Sequence, residues 1–277
     1  MNKTKAFTAF FVSLIILHSS SHCQVIFDSA VSTYLNGNDQ KSLEMFDELI
    51  NNKEKLLKNN KQLAASYMYR GAAKSFLGRS DESLLDLDSA KAIDSTVKKL
   101  HLYYSKTYIF KQDWQKALYY ADLAIAEMPE YADAYDQRAM ASVMMSDFKR
   151  TIVDEDMAIK YDSTDYNFYL TRGWAKSELK QYQEAIFDYD RSLTLELDVK
   201  TFANRGLAYS HLNEHAQAIE DYSLAIAMNN KLADVYYYRG LSYKALGKKI
   251  QACLDFTKSI DLGYTDAGKE VDEGGCR

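Results

Sequence analysis

Few residues in this chain are spaced for chemistry. His211, Glu214 and His215 spell H-x-x-E-H, which holds zinc when both histidines share one face of a continuous helix. Gly240 and Gly247-Lys248 have six residues between the glycines, more than a phosphate-cradling loop allows. No G-x-S-x-G elbow and no Cys/His nucleophile pair stands out, and Asp154-Glu155-Asp156 is an acidic run. A further pattern is regular. Arg70, Arg138, Arg172, Arg205 and Arg239 are each followed 16 residues later by an aspartate: Asp86, Asp154, Asp188, Asp221 and Asp255. Tyr104 and Tyr120 hold the same two places in the copy that lacks the pair, so both partners change together. Joint replacement points to contact between two elements. The rival reading is a row of arginines waiting for an acidic ligand, and an internally neutralised guanidinium is a poor ligand site.

The elements that must position these residues are clearest from Tyr169 to Glu196. Tyr169, Arg172, Gly173 and Lys176 share one helix face through their i, i+3, i+4, i+7 spacing. After Lys180-Gln181 a second helix takes Ala185, Ile186, Tyr189, Leu193 and Leu195 as its apolar positions. Glycine inside a helix costs about 1 kcal/mol against alanine, so Gly173 predicts close approach of another backbone. From Gly71 through Ser105, Ala139, Gly173 and Gly206 to Gly240, this small residue recurs at 34, 34, 34, 33 and 34 residues. A helix pair on that period cannot bury its apolar face alone and must stack on its neighbours. The same register puts His211 at the end of one helix and His215 at the start of the next, across a turn. That argues against zinc. The acidic run falls on a second helix, and the expectation is a non-enzymatic protein with no metal and no cofactor.

At this point the chain resembles the tetratricopeptide repeat family, whose pattern is an aromatic, Leu-Gly and Tyr on the first helix, then Ala, an aromatic and Pro on the second. Phe202, Gly206, Tyr209, Ala218 and Tyr222 follow it, as do Tyr236, Gly240, Tyr243, Ala252 and Phe256. The second copy adds Tyr108, Ala117, Ala124 and Pro129. Arg70, Arg172, Arg205 and Arg239 stand where the family usually has Leu before the glycine, and Arg138 takes that place before Ala139. The resemblance implies an all-α solenoid, a right-handed superhelix of helix-turn-helix repeats whose first helices line a concave groove. Lys200 and Asn204 match half of the family's clamp for acidic C-termini, but Asp234 and Tyr238 follow in the next copy, so the clamp is incomplete.

One proline among 277 residues fits an all-helical chain. A formal charge of −5 with no basic stripe argues against nucleic acid. Residues 1–23 read as a secretory signal: Lys3 and Lys5, then an apolar run from Ala6 to Leu17 that is too short to span a membrane. Cleavage after Cys23 or Ser21 would remove two lysines and no acids, taking the charge from −5 to −7. Cys23 also admits a lipoprotein, although Ser20-Ser21-His22 lacks the pattern such sites resemble. Residues 24–62 form a degenerate repeat with a turn at Asn36-Gly37-Asn38 and an Asn- and Lys-rich spacer. Residues 63–263 hold six repeats, and 264–277 a short capping segment. Gly and Asn in the intra-repeat turns are the residues expected at a left-handed helix stop.

Beside the packing faces of the first helices lie Met68, Leu102, Met140, Leu170, Trp174, Leu207, Tyr237 and Leu241. Two readings stand for this stripe: an adaptable peptide surface rich in Met and aromatics, or packing within and between repeats. Cys253 and Cys276 are the cysteines left after the leader. The last repeat helix running on from Cys253, Gly263 reversing the chain and a returning cap segment bring the two level, within reach of a disulfide. A small core cysteine and a loose tail thiol is the other reading. The expected function is an exported interaction scaffold that binds a protein or peptide. A membrane-tethered lipoprotein spacer is the alternative, and a metal-dependent hydrolase using His211 and His215 is a further one.

Overall fold

The computed structural model describes residues 24–52, 59–273 and 276, and all the regular structure among them is helical. The expected leader, Cys23 and the middle of the spacer lie outside these residues. The chain divides into two compact units between Glu130 and Tyr131. The first unit comprises α1 (24–35), α2 (Asp39–Asn51), α3 (Asn60–Phe76), α4 (Ser80–Ile93), α5 (Leu100–Phe110) and α6 (Trp114–Glu127). The second comprises α7 (Ala132–Met144), α8 (Phe148–Tyr161), α9 (Tyr166–Glu178), α10 (Tyr182–Leu195), α11 (Val199–His211), α12 (His215–Met228), α13 (Ala233–Ala245), α14 (Lys249–Asp261) and a short α15 (Ala267–Glu273). Within each unit, α2 and the helices after it pack on the helix before and the helix after, and the first helices of adjacent repeats also touch. The spacer ends in a capped helix: the Asn59 side chain accepts from the Gln62 amide, so α3 begins before Leu63.

The core follows from the small residues. A Cβ added at Gly173 would stand 2.8 Å from Tyr189, one at Gly206 2.9 Å from Tyr222, and one at Gly240 2.6 Å from Phe256. An aromatic ring of the second helix is thus the nearest neighbour in these three copies, and the expected backbone approach accompanies it at Gly173 and Gly206, where the Ala185 and Ala218 carbonyls stand 3.2 Å away; at Gly240 the Phe256 ring supplies the three nearest atoms. Only at Gly71 is a backbone atom the nearest neighbour, Ser83 O at 3.0 Å. In the first unit, Phe46, Leu49, Leu87 and Tyr104 are buried, and Tyr34 and Tyr69 each pack edge to face with Tyr103 in the same cluster.

Each intra-repeat turn closes in the same way. One residue takes a positive φ: Gly78, Gln112, Ser146, Lys180, Asn213 or Gly247. Its amide donates to the carbonyl three residues back, and the next amide reaches five back, as in Lys180 to Ser177 and Gln181 to Lys176. Four of these six turns thus hold a side chain in the left-handed region, which costs about 1–2 kcal/mol except where Asn eases it. Lys180→Gly and Gln112→Gly should each raise stability in urea by about 1 kcal/mol, and Asn213→Gly by less. Equal or negative changes at all three would show that the turns are not strained.

At the C-terminal end, Ala267 of α15 is buried against Ala252 and Phe256, with Tyr237, Leu241, Tyr264 and Val271 packed around them. The cap is thus less polar on its inner side than its sequence suggests. Cys253 and Cys276 are joined by a disulfide, with Cα atoms 5.4 Å apart. Closing this loop stabilises the folded chain by roughly 3 kcal/mol in the entropy model. Intact-mass measurement without reductant should find no free thiol among these two. Cys276→Ser should speed hydrogen exchange in α15 while leaving α7–α10 unchanged; unchanged exchange in α15 would contradict the clamp.

Candidate functional site

The arginines that precede the small residues reach up to three ways, all three in Arg70, Arg172, Arg205 and Arg239. First, each pairs with the aspartate 16 residues on, across the two helices of its own repeat. Arg70 Nε and NH2 donate to Asp86 at 2.8 and 2.6 Å, Arg205 to Asp221 at 2.8 and 2.6 Å, and Arg239 to Asp255 at 2.8 and 2.8 Å. Arg138–Asp154 and Arg172–Asp188 repeat the geometry. The aspartates are buried, Asp188 completely. Second, NH1 reaches back to the second helix of the preceding repeat: Arg70 to Asp47, Arg172 to Asp156, Arg205 to Asp190, and Arg239 to the Ser223 hydroxyl. Third, the guanidinium lies over the aromatic ring three residues earlier, in Tyr67, Tyr135, Tyr169, Phe202 and Tyr236. Hydrogen bonding to Asp221, against the cost of burial and with further help from Asp190, raises the Arg205 pKa, so its charge is fixed. These arginines are occupied and offer no row of free ligand sites.

The copy without the pair uses rings instead. Tyr104 and Tyr120 stack with centroids 4.6 Å apart, and the Tyr104 hydroxyl donates to Asp88 at 2.6 Å. Burial, then Asp88, raises the phenol's pKa, so it stays a donor. The acidic run on α8 divides three ways, because successive helical residues point about 100° apart. Asp154 is the buried ion-pair partner, and Asp156 is half exposed and bridges to Arg172. Glu155 is fully buried, and neither of its oxygens has a hydrogen-bond partner among the described residues. In the repeat register it occupies the place of Tyr189, Tyr222 and Phe256, and Ala139 the place of the glycines those rings pack on. Burial, with Asp136 and Asp154 adding to it and Arg172 opposing, pushes its pKa well above the usual carboxylate range.

The first-helix stripe splits by burial. Met68 is 2% and Leu102 1% exposed, so both are core residues, a correction to their place on a candidate binding surface. Tyr237 and Leu241 pack against the cap cluster, and Leu170 packs against Ala185, Ile186, Tyr189 and Ala208. Met140 remains exposed at 41%, and Trp174 and Leu207 half exposed. The next row on the same face, one turn on, was missed: Met144, exposed at 55%, then Glu178 and His211. Extending the stripe by i+4 would have found it. Trp174 stands edge to face with Phe148, and His211 stacks on Tyr182 with centroids 4.6 Å apart. His215 begins α12 beyond the turn. Among the described residues no group of three or more His, Cys, Asp or Glu is placed to hold a metal, and no helix is long and apolar enough to cross a membrane.

Helix pairs stacked on small-residue contacts define a solenoid of helix-turn-helix repeats. Residues 166–198 and 199–232 match the tetratricopeptide repeat family. A tetratricopeptide repeat protein from Parabacteroides merdae ATCC 43184 is similar over 92% of this chain and 99% of its own, at 18% identity and a TM-score of 0.60. YrrB, described as a tetratricopeptide repeat protein with an unusual peptide-binding site, matches 64% of this chain and 92% of its own at 16% identity and 0.56. MamA matches 62% and 95% at 20% identity and 0.56. At these identities the likeness speaks for the fold. No curated protein matches the sequence.

Two outcomes test the buried charges. Arg172→Ala leaves Asp188 with the Lys176 ammonium at 2.7 Å, whereas Asp221 has Tyr209 in the place of that lysine. Arg205→Ala should therefore destabilise by about 3 kcal/mol or more and Arg172→Ala by clearly less. Equal losses would mean that Lys176 contributes nothing. Glu155 ionises near 4.5 when unfolded and higher when folded, so its contribution to stability is present below that value and is lost as pH rises through its folded pKa. Between them the loss is about 1.4 kcal/mol per pH unit. Glu155→Gln should flatten the urea stability profile between pH 5 and 7 relative to wild type; parallel profiles would place an ionised carboxylate there.

Proposed function

We propose that this protein is an exported scaffold that holds a polypeptide segment along the first-helix face of its second unit. The observation that carries the reading is the solvent-facing row of Met140, Met144, Trp174 and Leu207. Flexible thioethers and an indole sit there at helical spacing on rigidly tied helices. The ion-paired framework supports it, because a surface whose helices are fixed from within loses little entropy on binding. Export rests on Lys3, Lys5 and the Ala6–Leu17 apolar run. The Cys253–Cys276 disulfide fits an oxidising compartment.

A photocrosslinker placed at Met144 in intact cells should capture a partner polypeptide. Adding Trp174→Ala should abolish that capture while the thermal unfolding midpoint falls by only a few degrees. Capture that survives Trp174→Ala, or that is lost in step with helicity, would contradict the reading. Mass spectrometry of the mature N-terminus should show an unacylated chain; an acyl group on Cys23 would favour the tethered spacer.

A further inference from the structure

Where α9, α10 and α11 meet, the first-helix face of the second unit folds into a notch of about 70 Å³. Trp174 and Tyr182 form apolar walls. At the floor the Ser177 and Tyr189 hydroxyls lie 3.2 Å apart. Burial, then Asp188 and Glu178 against the pull of Ser177, raises the Tyr189 pKa, so that phenol is neutral. Glu178 and Asn204 complete the lining, with His211 held face to face on Tyr182. Glu178 is exposed and has no hydrogen bond or ion pair among the described residues. No lysine or arginine lines the notch. The nearby Lys176 and Arg172 are committed to Asp188, which is buried behind them. Lys200 sits at the far end of α11, eleven residues before His211, or roughly 16 Å at the helical rise.

These groups describe a guest. One unpaired carboxylate, acceptor oxygens from two hydroxyls and an amide, and aromatic walls complement a compact cation with several donors on an apolar stem. We infer that the notch receives a lysine side chain of the bound polypeptide. Its methylenes lie along Trp174 and Tyr182, and its ammonium meets Glu178, the Ser177–Tyr189 hydroxyl pair and the Asn204 carbonyl. An ammonium offers three rotatable donors on a narrow stem, whereas a guanidinium is a broad planar fork, so the small volume selects lysine. The inference rests on the reading of this face as a polypeptide site and names the side chain it recognises.

The test uses the whole chain labelled with nitrogen-15 at tryptophan, in which the Trp174 indole signal reports the notch and Trp114 serves as the internal control. The probes are acetyl-Gly-Gly-Lys-Gly-Gly-amide and the same peptide with norleucine or glutamate in the centre. The lysine peptide should shift the Trp174 signal saturably and leave Trp114 in place. The other two should bind at least roughly tenfold more weakly, and Glu178→Gln should weaken the lysine peptide by a similar factor. Glu178 is exposed at a helix end, so this variant should keep the wild-type circular dichroism spectrum. Equal response to norleucine, a stronger response to glutamate, no response to lysine, or indifference to Glu178→Gln would each overturn the inference. Capture at Met144 that persists alongside any of these would leave the polypeptide face standing and remove only its lysine; loss of both would remove the face as well.

Discussion

A guanidinium buried between two helices must be neutralised, and in this chain that requirement organises the repeats. Each such arginine finds a fully or nearly buried aspartate in its own repeat, so the two helices of a pair are fixed at a set distance and rotation. In Arg70, Arg172, Arg205 and Arg239 the remaining nitrogen reaches the preceding repeat, at Asp47, Asp156, Asp190 and Ser223. Removing one partner would leave a charge stranded in a low-dielectric interior, a larger loss than the pair's own net gain. The helices are therefore held together less by the strength of each pair than by the cost of breaking it. The aromatic ring below each guanidinium closes the third side.

Where this device is absent or altered, the packing adapts. Stacked Tyr104 and Tyr120 replace it in the second copy. In the third copy the arginine pair is present, but Glu155 takes the ring position and remains unsatisfied, an internal weak point among well-filled neighbours. Glycine beneath a ring in the later repeats makes the limit plain: the small residue on the first helix sets how much side chain the second can bring in.

Much of this was legible in the sequence because it is periodic. The 34-residue recurrence located the helix pairs, and the 16-residue Arg–Asp spacing, with its joint replacement by two tyrosines, located the bond across each pair. The arm to the preceding repeat was also periodic, since Asp156 and Asp190 each follow a buried aspartate by two residues. It was passed over because an exposed aspartate on a helix looks like ordinary solvation. Burial was the harder quantity. Ala72 and Met140 share a register position, yet one is core and the other surface, because what covers a first helix is its neighbour's side chains and not its own spacing. Glu155 was hidden for a similar reason: a carboxylate between two others reads as a wet face until the helical rotation between consecutive residues is followed.

Arg70, Arg172, Arg205 and Arg239 each tie two repeats together. Native-state hydrogen exchange on the full chain carrying Arg205→Ala measures this most directly. If the claim holds, protection falls in α11 and α12, which form the arginine's own repeat, and also in α10, which carries Asp190, while α7 and α8 keep theirs. Protection lost in α11 and α12 alone, with α10 unchanged, would contradict it.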